Sequence, residues 1–297
     1  MAYTMTTDIS RMIVAGQKDI FTKNFESFPI EYTAFTTPKK ATKKAETYDS
    51  MGNLEAGAEK IEGAAISYGS VEQAYQTTIT NKTWANGYAV TLEATKYDLY
   101  GVINSVKAKE LSRTMRELEE ARAVRWVDNA LTVNLTDGVP LCTNSRPLKN
   151  VPGTYNDTLT TGALTPANLK TARQMFARFK NHQGGPMKSK PTDGLTHSVN
   201  MQTVEEINAS TKTAYELSNT ANKVLQASWH YSTYMSSETA WFLWDSAFEH
   251  ILFQSFMDTV FDNDEDKINT KNLYLNAIAI YETGALPNIG IVGSAGT

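Results

Sequence analysis

Residues 97–131 read YDLYGVINSVKAKELSRTMRELEEARAVRWVDNAL and carry the strongest structural pattern in this chain of 297 residues. Large apolar side chains recur mostly at intervals of three to five residues, which is typical of a helix with one apolar face. The residues of this stripe are Leu99, Val102, Ile103, Val106, Leu111, Met115, Leu118, Val124, Val127 and Leu131. Such a helix would be roughly 45–50 Å long, so the segment predicts a rigid spine. A coiled coil is less favoured, because the stripe is not a sustained heptad repeat.

Opposite charges on this segment are three or four residues apart, the spacing at which side chains on a helix surface meet. The sequence predicts that these pairs lie on exposed faces of the helix and stabilise it modestly. The pairs are Glu110–Arg113, Arg113–Glu117, Arg116–Glu120 and Glu119–Arg122.

The segment before the spine predicts β structure. Strand-forming residues recur between positions 77 and 92, and the pair Asn86-Gly87 is typical of a tight hairpin turn. We therefore expect residues 46–92 to form a long hairpin.

The tip of this hairpin has too little apolar surface to form a core of its own. Residues 52–69 read GNLEAGAEKIEGAAISYG and contain four glycines. The large apolar side chains in this stretch are those of Leu54, Ile61, Ile66 and Tyr68. Because an isolated two-stranded ribbon is marginally stable at best in water, we expect another copy of the protein to hold the tip in place.

The N-terminal part of the chain predicts a short helix and then an irregular segment. Residues 9–25, ISRMIVAGQKDIFTKNF, have apolar positions partly at helical spacing, and Pro29 and Pro38 interrupt the pattern. The basic run KKATKK at 39–44 has two interpretations, a solvated linker or an arm that lies on a neighbouring subunit.

The middle of the chain predicts a loop followed by a capped helix. Residues 132–163 are rich in Thr, Asn, Gly and Pro, which is typical of loops. In LTPANLKTARQMFARFKN, which follows, Thr165 can cap a helix and Pro166 suits its first turn. The side chains expected to face inward are Leu169, Ala172, Met175, Phe176 and Phe179. The helix pattern ends at Gly184-Gly185-Pro186, which predicts a turn.

The remaining segments mix strands and helices without a regular βαβ order. GLTHSVN at 194–200 predicts a strand, MQTVEEINAS at 201–210 a helix, and ETAWFLWD at 238–245 a buried strand. The acidic turn FDNDEDKIN precedes NLYLNAIAIYET, which has strong β character. This mixture indicates an α+β fold.

Composition disfavours several classes of protein. The formal net charge is −4 and no half of the chain is strongly basic, which disfavours tight binding of nucleic acid through phosphate neutralisation. The chain has neither the start typical of a signal peptide nor an apolar run long enough to span a membrane. Cys142 is the single cysteine, so we expect an unpaired structural thiol in a protein made in a reducing cytoplasm.

The sequence predicts no catalytic, cofactor-binding or metal site. The four histidines are scattered, whereas metal ligands have close, fixed spacing. Asp262, Asp264 and Asp266 imitate the start of a calcium loop, but Lys267 stands where that loop needs glycine and Leu273 where it needs glutamate. We therefore expect a protein that is not an enzyme, and keep a soluble oligomeric enzyme with an unrecognised site as an alternative.

Several stretches of the chain carry a resemblance to a known family. Lys60–Gly63, Tyr68 and YAVTLEATKYDLYGVI look like an extended loop that enters a spine helix. LCTNSRPL with TGALTPANLKTARQMFARFKNHQGGPM looks like the entry into an axial domain, and SSETAWFLWD like a late strand of that domain. The strands around FDNDEDKIN look like a terminal hairpin. In this order they resemble the major capsid proteins of tailed bacteriophages, which have the Hong Kong 97-type fold.

The resemblance implies an α+β capsid fold of five parts. These are an N-terminal arm at 1–45, an extended loop (β-hairpin) at 46–92, a peripheral domain at 93–160 with the spine helix at 97–131, an axial α+β domain at 161–255, and return strands of the peripheral domain with a C-terminal tail at 256–297.

The resemblance also implies a function. Such a protein is a major capsid protein whose hexamers and pentamers close into an icosahedral shell around phage DNA, in the virion, after synthesis in the bacterial cytoplasm. Its partners would be other copies of itself and also portal, scaffolding and decoration proteins, with double-stranded DNA enclosed without sequence-specific binding and no membrane involved.

In this family the extended loop lies across the adjacent subunit, so the resemblance also implies contacts between subunits. The expected contact residues are Glu62, Gly63 and Tyr68 in the loop and Arg113, Arg116 and Glu117 on the spine. The same architecture would also suit the shell of an encapsulin-like bacterial nanocompartment that encloses cargo enzymes, and this alternative stays open.

Overall fold

The computed structural model describes residues 6–51, 57, 59–63, 65, 66, 68, 73–97, 102–209, 227–265 and 272–296. Its helices are α1 (Thr6–Ser27), α2 (Leu92–Tyr97), α3 (Val102–Asp128), α4 (Pro166–Phe176) and α5 (Met201–Ala209). Its strands are β1 (Thr37–Lys40), β2 (Ala45–Met51), β3 (Gln73–Thr80), β4 (Lys82–Val90), β5 (Arg146–Pro147), β6 (Tyr155–Asn156), β7 (Leu159–Thr160), β8 (Asp193–His197), β9 (Ser228–Ser232), β10 (Trp241–Trp244), β11 (Ile251–Glu265), β12 (Leu273–Ala285) and β13 (Ile291–Ser294).

The larger core lies between a four-stranded sheet and the long helix α3. The strand order is β1-β11-β12-β4, with β1 parallel to β11 and the other neighbours antiparallel. Leu275, Ala277 and Ala279 alternate along β12 and are fully buried, as expected for the face of a strand that covers a core. Met115 and Val124 of α3 are buried in the same core.

The long helix is confirmed over Val102–Asp128, which is 27 residues and about 40 Å. It ends before the expected position 131 because the chain turns after Asp128, and residues 98–101 lie outside the described residues. The stripe residues that are buried as expected are Leu111, Met115, Val124 and Val127. Leu99 and the side chains of Val102 and Ile103 lie outside the described residues.

The expectation that Val106 belongs to the buried stripe is wrong. Val106 is 55% exposed, because the next residues in the chain face the sheet instead. The ammonium group of Lys107 lies 5.5 Å from the centre of the Tyr88 ring on β4, and Ala108 is fully buried.

A second sheet, with the order β7-β13-β10-β8-β9, builds the smaller core together with α4. Its central strand β10 is buried on both faces. Trp241 and Leu243 pack towards α4, whereas Phe242 belongs to the larger core. This explains why four consecutive large apolar residues form a strand here.

The capped start of helix α4 agrees with the sequence, but the helix ends at Phe176, earlier than expected, because the chain turns at 177–179. The hydroxyl oxygen of Thr165 accepts a hydrogen bond from the Asn168 backbone N–H, and Pro166 is the first helical residue. The five side chains expected to face inward are buried, except that Met175 is half-buried against the smaller core. Gly184 has φ +81°, a turn conformation that favours glycine.

The hairpin turn expected at Asn86-Gly87 is wrong. Both residues lie inside β4 and pair with β12, because long-range pairing outweighs a local turn preference. The observed hairpin joins β2 to β3, which pair antiparallel from Ala45 and Thr80 towards the tip. The glycine-rich stretch 52–69 therefore lies between two paired strands.

The basic run at 39–44 is not a plain linker. Its first two residues, Lys39 and Lys40, belong to β1, the edge strand beside β11. Their ammonium groups lie 2.6 Å from a Glu249 carboxylate oxygen and 2.5 Å from an Asp258 carboxylate oxygen. This part of the N-terminal segment thus lies on the chain's own sheet.

Candidate assembly surfaces

The base of the β2–β3 hairpin is fixed to the body of the protein by a small apolar cluster. Ile79 of β3 is buried with Leu252 and Leu286, and Tyr48 of β2 packs beside them. Ile79 lies directly over Gly284 of β12, where a Cβ would overlap its side chain. The glycine at that position therefore allows β3 to approach the larger sheet closely.

A buried polar network fixes the same base. Gln254 of β11 is fully buried, and its Oε1 accepts a hydrogen bond of 2.9 Å from the Tyr48 hydroxyl. Its Nε2 donates to Asn81 Oδ1 at 2.8 Å, and Asn81 Nδ2 donates to the Lys43 carbonyl at 3.1 Å. Because buried amides are costly to leave unpaired, this network holds the start and the end of the hairpin on the sheet. We call residues 43–48 and 77–81 the root.

The tip of the hairpin has no such support among its described residues, which are 57, 59–63, 65, 66 and 68 and are all exposed. Ile61, Ile66 and Tyr68 have 73%, 58% and 88% of their surface exposed. Gly63 has φ +82°, which a residue with a side chain rarely adopts. The tip therefore presents apolar side chains from a thin, glycine-dependent ribbon, as the sequence indicated, while Leu54 lies outside the described residues.

The exposed face of α3 carries the first two of the expected charge pairs. A guanidinium nitrogen of Arg113 lies 2.6 Å from Glu110 Oε1, and Arg113 Nε lies 3.8 Å from Glu117 Oε1. About half of each side chain is exposed, so these charges are open to solvent and to a partner. Exposed pairs of this kind contribute little to stability.

The other two pairs were expected on exposed faces, and this expectation is wrong. Arg116 and Glu119 are both buried, with Arg116 Nη1 2.6 Å from Glu119 Oε2. Arg116 Nη2 donates to the Phe25 carbonyl at 3.0 Å, and the guanidinium lies 3.8 Å from the centre of the Phe25 ring. The reason is that α1 packs along this face of α3. Arg116 is thus directed at its own subunit.

Glu120 also serves an internal contact. Its two carboxylate oxygens accept hydrogen bonds from the backbone N–H groups of Glu31 and Tyr32, at 2.8 and 2.9 Å. Burial raises the pKa of Glu120 to about 7, although these two hydrogen bonds and the charge of Arg116 act in the opposite direction. The expected pair Glu119–Arg122 is not formed either, because the Arg122 guanidinium stacks on Trp84, 3.8 Å from the centre of its ring.

This internal cluster was not predicted from the sequence, although the sequence contains a signal for it. Ser112, Met115, Glu119 and Ala123 follow one another at intervals of three or four and share the buried face of α3. The polar members of this face look like surface residues until the position of α1 is known. The sequence of α3 does not show that a second face of this helix is covered by α1, because this depends on the tertiary fold.

The described residues contain no group of three or more side chains that could hold a metal ion. Cys142 is buried, and burial raises the pKa of its thiol to about 12, so the thiol stays protonated and unreactive. This confirms the expected structural thiol. Asp266 and Lys267 of the imitated calcium loop lie outside the described residues.

Within the part of the chain that the structure describes, none of the helices has the length and apolar character that would let it cross a membrane.

A family model described as phage capsid protein matches residues 74–282. No curated protein matches the sequence. Among solved structures, the chain is similar to the virus-like particle from Pyrococcus furiosus, with 9% identity, a TM-score of 0.55, and coverage of 94% of this chain and 97% of that one.

Two phage structures are also similar to this chain. The capsid of cyanophage P-SCSP1u has 11% identity and a TM-score of 0.55, with 90% of this chain and 88% of that chain covered. The procapsid of bacteriophage JBD30 has 14% identity and a TM-score of 0.50, with 95% and 75% covered. Similarity at such low identity concerns the fold, which is the expected Hong Kong 97-type α+β fold.

Proposed function

The chain belongs to the phage capsid protein family, and from this premise we propose that its copies are joined by the extended loop, which lies on the adjacent subunit. The protein is a major capsid protein, a structural component of the virion that assembles with copies of itself into the shell of a phage head. The family consists of capsid structural proteins and not of enzymes.

The shell is proposed to be icosahedral, built from hexamers and pentamers, and to enclose double-stranded phage DNA without reading its sequence. The formal net charge of −4 supports this role, since a wall that bound DNA phosphates tightly would hinder packaging and release. Portal, scaffolding and decoration proteins are the proposed further partners.

The proposed division into parts follows the boundaries expected from the sequence, with an arm at 1–45, the loop at 46–92, peripheral segments at 93–160 and 256–297, and the axial domain at 161–255. Two apolar clusters support it, one centred on α3 and the four-stranded sheet and one on α4 and the second sheet, although Leu195, Phe242 and Ile291 of the second sheet join the first cluster.

The observation that carries the proposal is the contrast within the loop. The root is tied to the body through Ile79 and Gln254, whereas the described tip residues are exposed. A subunit that holds a ribbon firmly at one end and leaves three apolar side chains uncovered at the other is suited to place that ribbon on a partner.

We propose Glu62, Gly63 and Tyr68 as contact residues of the tip. Tyr68 supplies a large amphipathic ring, a residue type enriched at protein interfaces. Arg113 and Glu117 on the exposed face of α3 are the second proposed contact, where charges would set register and specificity more than affinity. Arg116 was expected with them, and its burial against Phe25 favours an internal role instead.

The experiment is a deletion of residues 52–69. It joins β2 to β3 through 70–72, a three-residue connection that suits an antiparallel hairpin. We expect a folded subunit with an unchanged circular dichroism spectrum that forms no closed particles by size-exclusion chromatography and negative-stain microscopy. Closed particles from this variant would contradict the proposal.

A second variant separates loop length from apolar contact. Replacing Ile61, Ile66 and Tyr68 by serine keeps the length of the ribbon and removes its apolar side chains, so the yield of particles should fall by about tenfold or more. Tyr155→Ser, at another exposed aromatic residue, is the matched control and should assemble normally.

The nanocompartment alternative would have the same architecture, and a similarity of fold, such as that to the virus-like particle from Pyrococcus furiosus, does not distinguish the two. The family match supports the phage head. Particles purified from the natural source distinguish the two, because a phage head contains DNA whereas a compartment contains cargo protein.

A further inference from the structure

A cavity of about 140 Å³ lies where several parts of the chain meet. Among them are the segment 34–37 at the start of β1, the C-terminal end of α3, the strand β10, and the start of β11. Most of the lining residues are apolar, among them Phe35, Val127, Phe242, Trp244 and Phe248, and polar atoms are contributed by Thr36, Thr37, Ser246 and His250. The cavity therefore lies between the larger core and the second sheet.

His250 is the unusual residue of this lining. Only 5% of its surface is exposed, and neither ring nitrogen has a hydrogen bond of ordinary geometry, although the carbonyls of Asp245 and Gly290 lie nearby. The backbone of His250 is fixed, since its carbonyl accepts a hydrogen bond of 2.8 Å from Leu286. A buried polar group without a partner is unfavourable, so a ligand that pairs with the ring would be favoured here.

The charge state of His250 follows from its surroundings. Burial and, to a smaller extent, the charge of Arg146 lower the pKa of the imidazole to about 3, against the opposing effects of Asp245 and of the Gly290 carbonyl. The ring is therefore neutral at pH 7, with one nitrogen that donates a hydrogen bond and one that accepts.

We propose that this cavity binds a small, uncharged aromatic molecule with a single hydroxyl group, of the size of phenol, whose hydroxyl pairs with His250. An apolar cavity of about 150 Å³ is large enough for benzene. A hydroxyl can donate or accept, so it can pair with either nitrogen of the ring. A carboxylate is disfavoured, because its charge would be buried and Arg146, the cation nearby, is already paired with Asp137 at 3.6 Å.

Occupancy would join parts of the chain that otherwise meet around an empty space. The bound ring would contact the segment 34–37, α3, β10 and β11 together, so we expect it to stabilise the junction between the two cores. A ligand that binds only the folded state raises the melting temperature in proportion to its occupancy.

The test uses the full-length chain, both as unassembled subunit and as particle, with three probes that share one ring: phenol, benzene and benzoate. Binding is measured by titration calorimetry and by the thermal shift. We expect saturable binding of phenol about tenfold tighter than that of benzene, a difference of about 1.4 kcal/mol, and no binding of benzoate.

Two variants locate the site. His250→Leu should bind benzene and phenol equally, because the hydroxyl loses its partner. Ala130→Leu fills space in the lining and should bind neither. If phenol binds wild type without saturation, or binds Ala130→Leu as tightly as wild type, the proposal is overturned.

A further measurement keeps the proposal falsifiable if both variants fail to fold. Phenol should shift the ¹⁵N resonances of the His250 imidazole in the wild-type protein, and benzene should shift them much less. Equal shifts by the two probes would overturn the role of His250.

Discussion

The root and the tip of the extended loop belong to the same hairpin, yet they are opposite in their relation to the rest of the subunit. At the root, Ile79 is buried, and Tyr48 and Asn81 form hydrogen bonds with the oxygen and the nitrogen of the Gln254 side-chain amide on the sheet. At the tip, Ile61 and Tyr68 are among the most exposed apolar side chains described in the chain. The root thus packs within its own subunit, whereas the tip is exposed, and we propose that a neighbouring copy covers it.

The spine helix α3 shows a similar contrast between a buried and an exposed ion pair. Glu110–Arg113 and Arg116–Glu119 have the same spacing and the same nitrogen–oxygen distance of 2.6 Å. The first pair is exposed on the outer face, and the second is buried beneath α1. Two ion pairs with the same local geometry therefore have different roles, one on the exposed surface and one inside the subunit. Variants at each pair can distinguish these roles if the stability of the subunit and its assembly are measured separately.

The largest expected effect concerns the two arginines. Arg116→Ala leaves the Glu119 carboxylate buried without its cation and should lower the free energy of unfolding of the unassembled subunit by about 3–5 kcal/mol. The matched variant Arg113→Ala should change it by less than about 0.5 kcal/mol. Urea denaturation followed by tryptophan fluorescence measures both. Equal losses in the two variants would show that the faces do not differ as described.

A slightly smaller effect is expected at the root of the loop. Ile79→Ala removes a buried side chain from the cluster with Leu252 and should cost about 2–4 kcal/mol of unfolding free energy. Ile61→Ala at the tip should cost less than about 0.5 kcal/mol in the same assay, while reducing the yield of particles. A stability loss at Ile61 similar to that at Ile79 would mean that the tip packs on its own body.

The smallest expected effect is a pH dependence caused by Glu120. Burial raises its pKa from 4.5 to about 7 in the folded state, so the folded protein binds a proton more readily than the unfolded chain. The stability contributed by this group is fully present below about pH 4.5 and is lost as the pH rises through about 7.

Unfolding free energies of the unassembled subunit at pH 5 and pH 8 measure this contribution. We expect wild type to lose about 1–3 kcal/mol more than Glu120→Gln over this range. The neighbouring titratable and charged groups, Glu119, Glu31 and Arg116, are unchanged in the variant and serve as an internal reference. A steeper loss in Glu120→Gln would reverse the assigned sign.

The sequence predicted those parts of the fold that depend on local chemistry. Thr165 and Pro166 start α4 because a capping hydroxyl and a fixed φ act within one turn. The run from Trp241 to Trp244 is a strand buried on both faces, as expected for consecutive large apolar residues. The spine was also evident, because its apolar spacing persists over several turns.

The errors occurred where distant segments decide the outcome. Asn86-Gly87 has the local signature of a turn, but the partner strand β12 extends β4 through it. Arg116 and Glu120 have the spacing of surface charges, but α1 and the residues after it cover them. The exposed tip residues were predictable, because a glycine-rich stretch with few large side chains has no core to join.

Hydrogen–deuterium exchange compared between the dilute subunit and the assembled particle shows whether the tip is ordered by a neighbouring copy. We expect amides of the root, around Ile79 and Asn81, to be protected in both states, and amides at 57–68 to be protected only in the particle. Equal protection of the tip in the dilute subunit and in the particle would show that the tip packs on its own chain and not on a neighbour.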